Sequence, residues 1–200
     1  IIAKVLGKEF VPADELTPEQ KKYALKCRMA YTQRRPTLEQ ILQKVAGDLK
    51  ARLVALDLKC IHKKDPGDTY AAVPTLGALR LLFASIADSD EAATGDFVTA
   101  FLQAAKFQGN KLVLICYYDI FKGKWVYEWI CGVIYGMQTA GADWKDTLSY
   151  VLSVEMGFDE LKNLGSIYYH MKRKLSILVH VDDPFIKAKA KEDMIWLQEE

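Results

Sequence analysis

The chain has 200 residues, half of them hydrophobic and 26% charged. That is one domain, or one domain plus an extension, with enough chain for a sizeable core and the composition of an ordinary soluble globular protein. A net charge of +1 gives no overall field, so any hold on nucleic acid must come from local patches.

In chain order, "TPEQ" at 17–20 reads as a helix start: Thr17 caps, Pro18 suits the first helical position and Gln20 completes a capping box. A basic helix is expected to follow to about Arg34, with Leu25 and Met29 on one face. "TLEQ" at 37–40 repeats the signal and opens a shorter helix that stops at Gly47. Residues 1–47 therefore read as a helical N-terminal extension, and 48–200 as the main domain. "KARLVALDL" (50–58) is strand-like and "KKDPGD" (63–68) is a turn. From Thr75 a helix is expected, with Leu76, Leu79, Leu82, Phe83 and Ile86 at helical spacing as its core face. "KLVLICYY" and "WVYEWI" read as two strands joined by "DIFKGK". "TAGADWKDTLSYVLSVEMG" reads as a helix burying Trp144, Leu148, Val151 and Leu152 and ending at Gly157. "SIYYHMKRKLSILVHV" gives two strands around the basic turn at Lys172–Lys174, and a last helix begins near Glu192. The fold class is α+β, with helices interleaved among antiparallel strands.

The four cysteines, Cys27, Cys60, Cys116 and Cys131, show no CxxC spacing, so neither a zinc knuckle nor a disulfide framework is indicated. Reduced thiols and an intracellular setting are the default expectation. The N-terminal "IIAKVLGKEF" is too short and interrupted for a signal peptide or a span, so no membrane partner is expected. Basic residues gather at Lys21, Lys22, Lys26 and Arg28, at Arg34 and Arg35, at Lys59, Lys63 and Lys64, and at Lys172–Lys174. Each set is a possible phosphate contact and equally a solvated face.

The chemistry-bearing stretch is "LSILVHVDDPF" (175–185), an apolar run that ends in Asp182 and Asp183. One reading is a strand ending in a solvated turn, since Asp is depleted in strands and common in turns. The other is a divalent-metal site at a hairpin tip, which needs a third carboxylate. Asp96, in "ATGDFVTAFLQA" (93–104), follows a short small-residue segment and precedes a helix-forming "TAFL". Three gathered carboxylates repel one another unless cations sit between them. Two hard cations about 3.5–4 Å apart would resolve the repulsion and serve in-line phosphoryl transfer.

Five segments in order then resemble the reverse transcriptase domain of copia-type retrotransposons. "KARLV" (50–54) matches the family's fingers motif, and "DTYAAV" (68–73) with Arg80-Leu81-Leu82 is similar to "ETFAPV…RLLLA". "GDFVTAFLQA" (95–104) is similar to "MDVKTAFLNG", "YGMQTAGADW" (135–144) to "YGLKQAPRAW", and "HVDD" (180–183) to "YVDD". The resemblance runs from about Lys50 to Lys187. It implies a polymerase palm-and-fingers fold, with an antiparallel palm sheet backed by helices and a thumb incomplete or absent. The implied activity is RNA-directed DNA synthesis by two-metal nucleotidyl transfer from a dNTP to a primer 3′-hydroxyl. Two Mg2+ ions, with Mn2+ as substitute, would be held by Asp96, Asp182 and Asp183. Lys50 and Arg52 would reach the triphosphate, Tyr135 and Gly136 would line the nucleotide pocket, and Phe101 would stack under the incoming sugar. The implied partners are an RNA or DNA template with its primer and a dNTP. The implied setting is cytoplasm, nucleus or a virus-like particle.

Departures from the pattern bear on activity. The family's Lys after the first acid is Val98, and in the later segment Lys, Gln, Pro and Arg are Gln138, Thr139, Gly141 and Ala142. His180 replaces Tyr. Pro184 cannot donate to a ladder, so the second arm of the hairpin is expected to be an edge there or to start later. Two other readings stand beside the polymerase. One is a silent or repurposed domain that binds nucleic acid or acts as a scaffold. The other is a two-metal nuclease, which the motif order disfavours.

Overall fold

A computed structural model describes residues 15–33, 35–43, 49–57, 69, 71, 73–98, 100–104, 112–161 and 163–199. Among these lie six α-helices and nine strands in two sheets, a mixed α+β architecture. The chain divides into two compact units, one of residues 1–64 and 106–140 and the other of residues 65–105 and 141–200. No helix among the described residues is long and apolar enough to cross a membrane.

In the first unit, helix α1 (Pro18–Tyr23) starts as expected: Thr17 Oγ1 accepts from the Gln20 amide at 3.2 Å, and Gln20 Oε1 accepts from the Thr17 amide at 2.8 Å. It does not run on to Arg34. Residues Leu25–Gln33 form strand β1, paired antiparallel over seven positions with β2 (Leu49–Ala55). Residues four apart share a face in a strand as they do in a helix, so Leu25 and Met29 fit both periods. Buried Cys27 between exposed Lys26 and Arg28 shows that the period is two. Residues 1–47 are accordingly not all helical. The second capped helix, α2 (Leu38–Leu42), is shorter than expected, and Gly47 lies outside the described residues, as does the turn at 63–68. Strands β4 (Val113–Asp119) and β5 (Lys124–Ile130) form the expected hairpin, and the sheet order is β2-β1-β4-β5. Its centre is Leu25, Ile115 and Ile130, all essentially without solvent contact. Burial pushes the Cys27 thiol up to about 12, helped by nearby Cys116 and Asp57, so it stays protonated and packs as a small apolar group.

The second unit holds helix α3 (Leu76–Ala84), capped by Thr75, then β3 (Glu91–Thr94) and the short α4 (Ala100–Gln103). Helix α5 (Ala140–Tyr150) straddles the division at its first residue and continues into a π-helical turn (Val151–Glu155) that ends at Gly157, whose φ is +79°. Strands β6 (Asp159–Glu160), β7 (Ile167–His170), β8 (Leu175–His180) and β9 (Asp183–Ala188) follow, and α6 (Lys191–Glu199) closes the chain's described part. The sheet is antiparallel throughout, in the order β3-β9-β8-β7-β6. The continuous apolar run of β8 follows from cover on both faces. Leu178 packs with Ala78 and Leu82 of α3 on one side, and Val179 lines a small cavity with Trp144 and Leu148 of α5 on the other. The expected core face of α3 is only partly buried: Leu82 is covered, whereas Leu76 and Phe83 are exposed.

Pro184 is not at an edge. Strand β9 begins at Asp183 and lies between β8 and β3. The Pro184 carbonyl accepts from the Gly95 amide at 3.1 Å, so its ring nitrogen also faces β3. The missing hydrogen bond falls at the end of a four-residue strand, where the cost of one lost ladder bond is small.

Candidate active site

The β8–β9 turn carries two of the three acids. His180 pairs with Asp183, leaving Val181 and Asp182 as the turn's central residues. Val181 has φ +60°, an outlier for a β-branched side chain and of the order of 1–3 kcal/mol in cost. Two contacts over-determine it. The buried Trp144 indole Nε1 donates to the Val181 carbonyl at 2.6 Å, and the Phe97 amide donates to the Asp182 carbonyl at 2.8 Å. The Phe97 ring then meets Trp144 edge-on, with centroids 5.3 Å apart.

The same backbone bonds place the third acid. Thr94 pairs with Phe185, and the Gly95 and Phe97 amide bonds carry that register onward, which sets Asp96 opposite Asp183. All three aspartates thus lie at one end of one sheet. Asp96 and Asp183 are exposed and Asp182 is half-buried. Among the described residues no ion pair reaches any of them. Asp90 is the contrast: its buried carboxylate is held down to about 2 by Lys189 and the Ala87 amide, with Lys187 adding to them. His180 and Asp183 also border an open groove of about 540 Å3, walled by Leu79, Phe83 and Phe185.

Carboxylate oxygens are the donors that hard divalent cations prefer, and this backbone brings three such residues together. Their side chains do not yet converge: among the described residues no three His, Cys, Asp or Glu side chains are disposed to hold one ion. The donor type is one that Mg2+ or Mn2+ takes, while the carboxylates as placed form no site for either ion.

The residues expected at the nucleotide divide between the units. Phe101 is half-buried in α4, in the unit of the acids. Lys50, Arg52, Tyr135 and Gly136 are in the other unit. Lys50 lies in β2 opposite Thr32, and the Arg52 guanidinium sits 5.7 Å from the centre of the Tyr135 ring, a cation–π approach. The Ala55 amide donates to the Tyr135 carbonyl at 2.7 Å. Gly136 follows with φ +85°. A Cβ there would run into the Ala55 carbonyl and lie 2.8 Å from Val54 Cγ1, so the close approach glycine permits is to the chain's own strand.

Two site-shaping residues escaped the sequence reading. Trp144 was expected only as core, yet it clamps the acidic turn. The available signal was chemical, since a buried indole N–H needs an acceptor. Asp57, buried, accepts at its carbonyl from Gln138 Nε2 at 2.8 Å, which fixes the position where the resembled family carries Lys. No family model matches the chain, and no match was found among curated proteins or solved structures.

Proposed function

We propose that the chain is the palm-and-fingers part of a polymerase that extends a primer by two-metal nucleotidyl transfer. More specifically, we read it as a divergent reverse transcriptase domain of copia type, acting on an RNA or DNA template with dNTPs. The observation that carries this reading is the Phe97–Asp182 backbone bond, which seats Asp96 against the turn bearing Asp182 and Asp183. Asp96, Asp182 and Asp183 would hold the ions. Bound divalent cations supply charge neutralisation for the attacking hydroxyl and the departing pyrophosphate. The chain's own residues hold the backbone that carries those carboxylates: Trp144 and the Phe97 amide fix the turn, which leaves the carboxylate side chains to rotate onto the ions. By the resemblance, Arg52 and Lys50 would be the cations that meet a triphosphate, Arg52 through its delocalised guanidinium.

The test is primer extension on an RNA template with Mg2+ and then Mn2+, with Asp182→Asn alongside. Extension that disappears in the variant supports the reading; no extension with either ion overturns catalysis by this chain. A silent, nucleic-acid-binding or scaffold domain is the second reading. It is favoured by Gln138, whose side chain is committed to Asp57 where a cation stands in the resembled family.

A further inference from the structure

The outer edge of strand β5 is a feature that catalysis does not use. It ends the sheet order β2-β1-β4-β5, and among the described residues no strand pairs with its far side. Proteins blunt such edges by keeping them short, covering them, or breaking them with bulges and prolines. The other edges follow that rule: β3 has four residues and β6 two, and β2 is met by Tyr135, which bridges Val54 and accepts from the Ala55 amide. Strand β5 has seven residues and no proline, and its pairing with β4 runs unbroken from Asp119 opposite Lys124 to Val113 opposite Ile130. It is a template for one more strand.

Side chains alternate along β5, so Trp125, Tyr127 and Trp129 share one face and Lys124, Val126, Glu128 and Ile130 the other. Tyr127 and Trp129 pack against the cluster of Leu16, Ala24, Leu114 and Cys116, whereas Trp125 stays 50% exposed. On the second face, Lys124 and Glu128 make no ion pair among the described residues. They cannot reach each other, since four residues of extended strand span about 13 Å. Across β4, Glu128 faces Ile115, and Lys124 faces Asp119, whose Oδ1 is taken by the Phe121 and Lys122 amides at 2.9 and 3.1 Å. Burial lifts the Glu128 carboxyl above its ordinary range, against the Tyr117 hydroxyl that donates to it at 3.3 Å. A half-buried carboxylate at an open edge is a place for a cation from outside the chain.

We propose that β5 pairs with β5 of a second copy of this chain, antiparallel and centred on Val126, so that two four-stranded sheets become one of eight strands. A two-fold axis at that point, perpendicular to the sheet, keeps like faces together and closes the assembly as a dimer. It sets Lys124 of each copy opposite Glu128 of the other, and Trp125 opposite Tyr127, so each contact occurs twice. Charge fixes the register. A centre at Lys124 or Glu128 would set like charges opposite, and a centre at Trp125 or Tyr127 would set a charge against Val126. Of the five centres from Lys124 to Glu128, only Val126 joins the opposite charges within the strand. The half-exposed Trp125 ring gains an aromatic cross-strand neighbour in the same step. The pairing goes beyond the polymerase reading and stands or falls without it.

The experiment is sedimentation velocity of the full chain across the micromolar range, where the parent should show a reversible monomer–dimer equilibrium. Lys124→Glu sets Glu against Glu128 at both symmetry-related contacts and should weaken the dimer by about tenfold or more. Glu128→Lys should do the same by setting Lys against Lys124. Glu128→Gln, which keeps an acceptor for the Tyr117 hydroxyl, should weaken it less. An equimolar mixture of the Lys124→Glu and Glu128→Lys chains should dimerise again, because both contacts of the mixed pair then join opposite charges. Asp182→Asn should dimerise as the parent does, which separates this edge from the acidic turn. Circular dichroism of each variant distinguishes lost pairing from lost folding, and should Glu128→Lys fail to fold, Lys124→Glu and Glu128→Gln carry the test. A parent that is monomeric at every concentration overturns the proposal. So does a dimer indifferent to the charge reversals, or a mixture of the two folded reversal variants that stays monomeric.

Discussion

Replacing Trp144 by Phe should loosen the acidic turn while leaving most of the packing in place. The indole is 5% exposed, meets Phe97 edge-on and donates to the Val181 carbonyl at 2.6 Å. Phe keeps a ring against Phe97 but removes the donor. Loss of the net hydrogen bond contributes about 1 kcal/mol, the low figure applying because Val181 is 36% exposed and water can reach the freed carbonyl. Shrinking the indole to a phenyl ring gives up roughly 40 Å2 of apolar contact, about 1 kcal/mol more at 25 cal/mol per Å2. Together these predict a loss of about 2 kcal/mol, near 30-fold in the folding equilibrium. Urea unfolding followed by circular dichroism measures it, since the midpoint should fall with the slope unchanged. In the polymerase reading, extension under conditions where the variant is fully folded should fall further, because Val181 is then free to leave its strained φ and carry Asp182 with it. A Trp144→Phe variant with the parent's midpoint and extension rate would refute the idea that this bond holds the turn.

Gly136→Ala should cost more than about 2 kcal/mol, because an L-residue at positive φ loses roughly 1–2 kcal/mol before the collision with the Ala55 carbonyl is counted; urea unfolding reads it. Asp90 is held at about 2 against an ordinary 3.8, so the folded state binds its proton less well and gains stability that is full above pH 4 and lost as pH falls toward 2. An Asp90→Asn variant should therefore be less stable than the parent at pH 6, with the gap closing toward pH 2; a constant gap would contradict the assignment. In an active preparation, Phe101→Val should relax the preference for dNTP over rNTP, measured as the ratio of kcat/KM values. An unchanged ratio would remove Phe101 from the sugar site.

Much of the local structure was legible from the chain. The capping boxes at Thr17 and Thr37, the Thr75 cap, the Gly-containing β4–β5 turn and the break at Gly157 are short-range hydrogen bonds and backbone preferences, decided within a few residues. So was the possibility that Asp96, Asp182 and Asp183 belong together. What the sequence left undecided were choices that depend on a distant partner. Leu25–Gln33 satisfies a helix or a strand locally, and seven backbone pairings with β2 settle it as a strand. Pro184 reads as an edge residue until β3 arrives on its far side and leaves only one bond unmade. Trp144 is merely apolar until the fold brings a turn carbonyl, 37 residues away in sequence, to its indole nitrogen. Local caps and turns are written in adjacent residues. Register, strand neighbours and the hold on a strained turn arise only where remote segments of the chain meet, because the hydrogen bonds that decide them have one partner in each.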